Sequence, residues 1–214
     1  MWYFLGEGNE FINLVSQKGR VMKLIFATNN RYKAEEIQAM LPSTIHVSTL
    51  KDVGIEEDIP EEQDTLEGNA SQKAQTIYQR LSANCFADDT GLEIEALGGA
   101  PGVHSARYAG ADKDSEANMN KVLKKLENTD NRKARFRTVI SLILDGKEMF
   151  FEGIVNGHIL REKRGEEGFG YDPVFLPDGY DQTFAQIPMN EKNKISHRSR
   201  AIQKLANYLA QYTG

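Results

Sequence analysis

Two stretches of alternating apolar and polar residues, joined by a two-residue turn, constrain the fold of this chain more than any other feature. Residues 134–144 alternate over eleven positions. One face of that strand carries Phe136, Thr138, Ile140 and Leu142. Asp145-Gly146 is typical of a hairpin turn, and residues 148–160 supply the return strand. Such a hairpin interrupts any repeating strand–helix–strand pattern, so the sequence predicts a long mixed β-sheet.

Helical patterns surround this hairpin. A short apolar strand at residues 24–27 leads into a polar loop and then a helix that ends before Pro42. Further helices are predicted at residues 65–81, around 119–126, and after Ser196, which is a suitable N-cap. The expected fold class is therefore α/β, a long mixed sheet flanked by helices, with an active-site groove between two lobes.

Composition excludes several classes of protein. The chain has 214 residues and a net charge of -5, which argues against a binder of nucleic-acid polymers. No window approaches the roughly 18 apolar residues of a membrane span. The single cysteine, Cys85, excludes an intramolecular disulfide. We therefore expect a cytoplasmic protein with a small-molecule ligand.

The first 21 residues differ from the rest. They lack a charged start, and Glu7 and Glu10 interrupt the apolar run, so they are not a signal peptide. A strand begins afresh at Met22. We expect residues 1–21 to be an extension upstream of the natural start, and residues 22–214 to form a single domain.

Two adjacent carboxylates stand out near the middle of the chain. The apolar run Cys85-Phe86-Ala87 ends in Asp88 and Asp89, and residues 92–95 then alternate apolar and acidic. We expect the pair where one buried strand stops and another begins. Adjacent strand residues point to opposite faces, so the two acids should have different roles. The alternative interpretation is a polar turn.

Candidate anion-binding residues lie on either side of this pair. Thr28, Asn29 and Asn30 precede a helix with Lys33 in its first turn, and a helix N-terminus attracts anions. The alternative is a capped helix with a surface lysine. Lys73 lies on the next predicted helix, after an acidic run at residues 56–62 that could donate a metal ligand.

The C-terminal third carries two further candidate sites. In the glycine-rich loop at residues 165–173, Phe169 could stack on a flat ligand, although a flexible connector is also possible. His197 and Arg198 fall in the first turn of the last helix, where they oppose the helix dipole. They therefore indicate an anionic ligand or a carboxylate partner.

Four motifs occur in a fixed order along the chain. They are TNNRYK at 28–33, FADDTGLEIEALGGAPGVHSARYAG at 86–110, GFGYDPVF at 168–175 and KNKISHRSRA at 192–201. With these motifs the chain resembles the inosine triphosphate pyrophosphatase family, the XTP/dITP diphosphatases, over residues 22–212. The resemblance implies a homodimer that uses Mg²⁺ to cleave ITP, dITP or XTP between the α and β phosphates.

The resemblance also implies roles for individual residues. Asp89 corresponds to the proton acceptor and magnesium ligand, and Glu61 to a second metal ligand, although the neighbouring Glu62 is an alternative. The expected substrate-binding residues are Thr28, Asn29, Asn30, Arg31, Tyr32, Lys33, Lys73, Thr90, Phe169, Gly170, Tyr171, Asp172, Lys192, His197 and Arg198. Two alternatives remain: a pyrophosphatase for other modified nucleotides, and a nucleotide-binding module without turnover.

Overall fold

The computed structural model describes residues 21–212 of the chain. The predicted extension therefore lies outside the described residues, except for Val21. Within the described range there are five α-helices: α1 (Arg31–Met40), α2 (Leu66–Leu81), α3 (Ser115–Lys125), α4 (Met189–Ile195) and α5 (His197–Gln211). The same range contains seven strands: β1 (Met22–Phe26), β2 (Ile45–Ser48), β3 (Cys85–Ile94), β4 (Pro101–Gly102), β5 (Lys133–Leu144), β6 (Lys147–Ile159) and β7 (Phe175–Pro177).

The strands form one mixed sheet in the order β2-β1-β3-β5-β6-β7, with β4 paired to β3. β1 runs parallel to β2 and β3, whereas every other pair is antiparallel. The predicted hairpin is confirmed as β5 and β6. Asp145 and Gly146 at its tip have φ angles of 49° and 77°, as a tight hairpin turn requires.

One lobe surrounds the first part of the sheet. Phe86 and Ile140 pack against α1 and α5, in a cluster that includes Ile37 and Leu205. The alternating residues of β3, among them Ala87, face α2 on the other side. This half of the sheet is therefore covered on both faces, which explains why its strands are almost continuously apolar.

A second lobe surrounds the far ends of the long strands. Leu92 of β3 and Phe136 of β5 pack against Val122 of α3 and against Phe175 and Phe184. The two apolar clusters lie at opposite ends of β3, so the middle of this strand lies between the lobes. The predicted two-lobed mixed sheet is confirmed.

The acid pair is not where the sequence analysis put it. Asp88 and Asp89 lie inside the continuous strand β3, opposite Ile140 and Val139 of β5. The predicted strand boundary and the alternative of a polar turn are both wrong. The long pairing with β5 overrides the local turn preference of the Asp-Asp-Thr-Gly sequence, because strand formation depends on its neighbours.

Candidate active site

The two acids of β3 face different helices, as their adjacent positions predict. Asp88 points to the side covered by α1 and α5, where it contacts Lys33 and Arg198. Asp89 points to the side covered by α2, where it contacts Asn69. The strand thus presents one carboxylate to each side of the sheet.

Asp88 is the anchor of a cluster of cations. Its two carboxylate oxygens accept hydrogen bonds from Lys33 Nζ at 2.9 and 3.0 Å, and Arg198 Nε lies 3.6 Å from Oδ2. Burial alone would raise the pKa of Asp88, but Lys33, Arg198 and Lys73 hold it well below its usual range. Asp88 is therefore a permanent anion that positions cations, and it is unsuited to accept a proton.

Asp89 has the opposite character. Its Oδ2 accepts a hydrogen bond from Asn69 Nδ2 at 3.1 Å, and its Oδ1 accepts one from the Thr90 amide at 2.9 Å. Burial raises the pKa of Asp89 to about 6, with Lys73 opposing this effect and Glu61 adding to it. A carboxylate with a pKa near neutrality is suited to accept a proton from water.

Lys73 connects the two acids to the acidic loop before α2. Its ammonium donates to the main-chain oxygen of Asp88 at 2.7 Å and forms an ion pair with Glu61. Burial lowers the pKa of Lys73, but Asp88, Asp89 and Glu61 raise it above its ordinary value. Lys73 is therefore a buried cation of the site and not a solvated surface residue.

The structure distinguishes the two neighbouring glutamates. Glu61 contacts Lys73, and its Oε2 lies 3.7 Å from Arg107 Nη1. Glu62 instead pairs through its main chain and side chain with Gln72 on the outside of α2. Of the two, only Glu61 lines the cavity beside the cations.

The loop after β1 is held by its own side chains. Thr28 Oγ1 accepts a hydrogen bond from the Asn30 amide at 3.1 Å, and Asn30 Oδ1 caps α1 by accepting from the Lys33 amide at 3.2 Å. Asn29 Nδ2 donates to the main-chain oxygen of Glu56 at 3.0 Å, which ties this loop to the acidic loop. The N-terminus of α1 is thus preorganised beside the cavity.

The remaining two residues of this motif differ in position. Arg31 is exposed and pairs with Glu35 one helical turn further on, and it does not line the cavity. Tyr32 belongs to α1, but its side chain lies outside the described part of the structure. The structure therefore brings Thr28, Asn29 and Lys33 to the cavity and leaves Arg31 on the surface.

The cavity itself has a volume of about 320 Å³. Its charged lining residues are Lys33, Lys73, Arg107, Lys113, Asp58, Glu61 and Asp88. A larger groove of about 950 Å³ lies between α1, β6 and α5, and none of the predicted site residues lines it. The smaller cavity is lined by four cations and three carboxylates, of which only Asp88 is buried, and this excess of cations suits a polyanion.

Phe169 lies on the exposed surface of its loop, with 62% of its area accessible. Lys192 Nζ lies 4.9 Å from the centre of its ring, and Arg198 lies 5.8 Å away. Asp172 accepts a hydrogen bond from the Phe169 amide at 2.8 Å and forms a buried ion pair with Lys192. A side chain at Gly168 would meet the Asp172 carboxylate at 2.2 Å, so glycine is needed for the loop to close.

Two expected base contacts are buried within the second lobe. Tyr171 donates its hydroxyl to the main-chain oxygen of Ser105 at 2.8 Å. The His197 ring stacks on Phe136 with 4.7 Å between ring centres. Burial, together with Arg198, lowers the pKa of His197 well below 6.5, so its imidazole is neutral at pH 7. Its Nδ1 is buried without a hydrogen-bond partner among the described residues.

The comparison with known proteins identifies the family. A model of the Ham1 family matches residues 24–208. The chain belongs to the Ham1 family. The dITP/XTP pyrophosphatase of Flavobacterium johnsoniae is 54% identical over 188 residues, which cover 88% of this chain and 98% of that protein. The dITP/XTP pyrophosphatase of Porphyromonas gingivalis is 52% identical over 87% of this chain and 97% of that protein.

Solved structures agree with this assignment. The Ham1 protein of Staphylococcus aureus is 41% identical, with a TM-score of 0.83 over 88% of this chain and 98% of that one. A Ham1 protein from Coxiella burnetii is 36% identical, with a TM-score of 0.85 over 89% of this chain and all of that one. The two-lobed sheet described above is therefore the Ham1 fold.

Sequence analysis missed three residues of this Ham1 site. Asn69 binds Asp89, Arg107 lines the cavity beside Glu61, and the hydroxyl of Thr138 lies 2.7 Å from that of Thr90. Asn69 precedes Lys73 by one helical turn, a spacing that places the two on one face. That spacing was the available signal for Asn69, whereas Arg107 lay unassigned inside the central motif.

Two further observations concern metals and membranes. Within residues 21–212, no group of three or more His, Cys, Asp and Glu side chains is arranged to hold a metal ion alone. None of the helices in that range combines the length and the apolar character needed to cross a bilayer.

Proposed function

We propose that this protein hydrolyses deaminated purine nucleoside triphosphates, namely ITP, dITP and XTP, to the monophosphate and pyrophosphate. The names of its Ham1 relatives, at 54% and 52% identity, support this substrate class. The observation that carries the proposal is Asp89, a buried carboxylate with a pKa of about 6 that is close to the Lys73 cation, which lines the cavity. That combination suits attack by water on a phosphoanhydride that carries many negative charges.

In this mechanism, the chain mainly positions its substrate and stabilises charge. Asp89 orients a water molecule toward the α phosphorus and accepts its proton. Asn69 and the Thr90 amide fix the direction of the carboxylate during this step. Lys33 and Lys73 offset the charge of the phosphates, while Asp88 keeps both ammonium groups in place.

The residues present also fit a magnesium ion. Burial raises the pKa of Asp89 and the nearby Glu61 adds to this effect, so these two carboxylates would hold a divalent cation. Magnesium prefers one or two carboxylates together with substrate phosphates and water, so Asp89 and Glu61 are sufficient protein ligands. When bound, the ion would neutralise part of the phosphate charge and polarise the phosphoryl oxygens.

We assign the selection of the purine base to the loop around Phe169. Its exposed ring can stack on a purine, and Arg198 beside it can donate a hydrogen bond to the O6 atom of a deaminated base. The 6-amino group of adenine is itself a donor and would face these donors unfavourably. His197 is neutral and buried, so it supports the pocket without adding charge.

The direct test is pyrophosphate release from ITP, dITP, XTP, GTP and ATP, with magnesium and then with EDTA. We expect magnesium-dependent release from the first three and far slower release from GTP and ATP. Equal rates on all five would retain the reaction and reject the base selection. No release from any of them would reject the proposed function.

We also propose, from the family resemblance, that the protein is a homodimer, and, from the sequence pattern, that it is cytoplasmic and that its natural start is Met22. Sedimentation of the 214-residue chain should then give twice its mass of 24.1 kDa. A chain that starts at Met22 should give twice its own, smaller mass. A monomer at micromolar concentration would contradict the first part. Intact mass of the protein from its native source decides the natural start.

A further inference from the structure

We propose that Arg107 binds the distal phosphates of the nucleotide and, after cleavage, the pyrophosphate product. This inference rests on the proposed function and adds to it a residue for which the sequence motifs provided no role. Three observations support it: Arg107 lines the cavity, the turn that ends at Arg107 is anchored by hydrogen bonds, and most N–H groups of its guanidinium have no hydrogen-bond partner among the described residues.

The short 3₁₀ turn that ends at Arg107 is rigidly held. Ser105 Oγ accepts a hydrogen bond from the Leu92 amide at 2.9 Å and donates one to the Gly102 oxygen at 2.6 Å. The main-chain oxygen of Ser105 also accepts the Tyr171 hydroxyl. The turn is thus tied both to β3 and to the loop that carries Phe169, so the backbone that carries Arg107 is ordered before a ligand binds.

The guanidinium of Arg107 retains donors for a ligand. Its Nη2 donates to the main-chain oxygen of Glu61 at 3.3 Å, and its Nη1 lies 3.7 Å from the Glu61 carboxylate. Among the described residues, the bond from Nη2 to the Glu61 oxygen is the only hydrogen bond that the Arg107 side chain makes. A guanidinium has five N–H donors. Four of them make no hydrogen bond within the described part of the chain, and the side chain, which lines the cavity, is one-third exposed.

The surroundings of Arg107 point to phosphate and not to the base. Phe169, Lys192 and Arg198 mark the base end of the groove, and none of them lines the cavity that Arg107 shares with Lys33. A guanidinium matches two oxygens of a phosphate at once, which an ammonium cannot do. The free donors of Arg107 therefore fit a phosphate group in this cavity.

The geometry also indicates which phosphates these are. The α phosphorus must lie next to Asp89, which does not line the cavity. The phosphates inside the cavity are therefore those beyond the α position. During cleavage, the water oxygen bonds to the α phosphorus and one of its protons passes to Asp89. The bond from the α phosphorus to the oxygen that joins it to the β phosphorus breaks, and its electron pair stays on that oxygen, which leaves as part of pyrophosphate. Arg107 is placed to stabilise that additional charge.

The experiment compares Arg107→Gln with Arg80→Gln. Arg80 pairs with Glu57 of the same acidic loop but is exposed and lies outside the cavity, so it controls for charge and for bracing of the loop. Calorimetry with magnesium present measures binding of inorganic pyrophosphate and of inosine monophosphate. We expect Arg107→Gln to weaken pyrophosphate binding about 10-fold or more, with inosine monophosphate nearly unchanged. Arg107→Lys should restore only part of the loss.

Unchanged pyrophosphate affinity in Arg107→Gln would overturn the inference, and so would three other results. One is an equal loss of affinity in both glutamine variants, and another is a loss confined to inosine monophosphate. The third comes from repeating Arg107→Gln in a chain that carries Glu61→Gln. If Arg107→Gln then has no effect on pyrophosphate binding, Arg107 acts only by bracing Glu61. A loss that persists supports direct contact.

The inference and the proposed function can fail separately. Pyrophosphate binding that depends on Arg107, in a chain that releases pyrophosphate from no nucleotide, would support the inference and reject the function. Normal hydrolysis with unchanged pyrophosphate affinity in Arg107→Gln would support the proposed function and reject the inference.

Discussion

Replacing Asp89 by asparagine is expected to stabilise the protein at neutral and alkaline pH while it lowers turnover. Burial, with a contribution from Glu61, raises the pKa of Asp89 from 3.8 to about 6 in the folded chain. The folded state therefore holds this proton more tightly than the unfolded chain does. The ionisation costs no stability below pH 3.8, an increasing amount between pH 3.8 and 6, and its full amount above pH 6.

The magnitude follows from that difference. A gap of roughly 2 pH units corresponds to about 3 kcal/mol, at about 1.4 kcal/mol each. Asparagine removes this cost, but it has one acceptor oxygen where Asp89 has two, so its NH2 group would face either Asn69 Nδ2 or the Thr90 amide, both of which now donate to Asp89. Asn69 cannot simply turn over, because its Oδ1 accepts the Gln63 amide at 2.9 Å. Two facing donors cost about 1–2 kcal/mol, so the net gain above pH 6 is about 1–2 kcal/mol.

Urea unfolding in EDTA, at about pH 8 and about pH 4, tests this prediction. Asp89→Asn should be more stable than the natural chain at the higher pH and less stable at the lower pH. Its turnover should fall by about 10²-fold or more. The same stability difference at both pH values would refute the reasoning, because it would show that ionisation of Asp89 has no cost in the folded state.

Three further predictions use other groups of the structure. Phe169→Ala should weaken binding of inosine triphosphate by about 10-fold or more, as measured by its KM, through loss of base stacking, whereas Phe150→Ala, an exposed ring on β6, should leave the KM unchanged. Asp88→Asn should lower the unfolding free energy at pH 7 by about 3 kcal/mol, because Lys33 loses its buried partner. Since the pKa of Asp88 is depressed, this difference should shrink as the pH falls below 3.8, and a difference that persists would contradict the assignment. Burial raises the pKa of the Cys85 thiol to about 12, so native protein at pH 8 should not react with a thiol reagent until it unfolds, and rapid reaction of folded protein would contradict its burial.

The elements that could be predicted from the sequence are those set by local pattern. The hairpin of β5 and β6 depends on alternation and on Asp145-Gly146, and both are visible without any neighbour. The N-cap of α5 at Ser196 is equally local and is confirmed by its hydrogen bond to the Ser199 amide. The carboxylate partner expected for Arg198 is Asp88. In each case a few adjacent residues carried the information.

The positions that were predicted wrongly or missed depend on distant residues. Asp88 and Asp89 stay inside a strand because β5 pairs along its whole length and because buried cations face the carboxylates. Arg107 reaches the cavity only because its turn folds against Glu61, which is 46 residues away in the chain. No local pattern shows such contacts.

In the proposed mechanism, water that is oriented by Asp89 attacks the α phosphorus. Hydrolysis of inosine triphosphate in oxygen-18 water tests this claim directly, with mass spectrometry of both products. We predict that one labelled oxygen enters inosine monophosphate and that pyrophosphate stays unlabelled. Label in pyrophosphate would show attack on the β phosphorus, and label in orthophosphate would show attack on the γ phosphorus. Either result would contradict the account given for Asp89 and its surrounding cations.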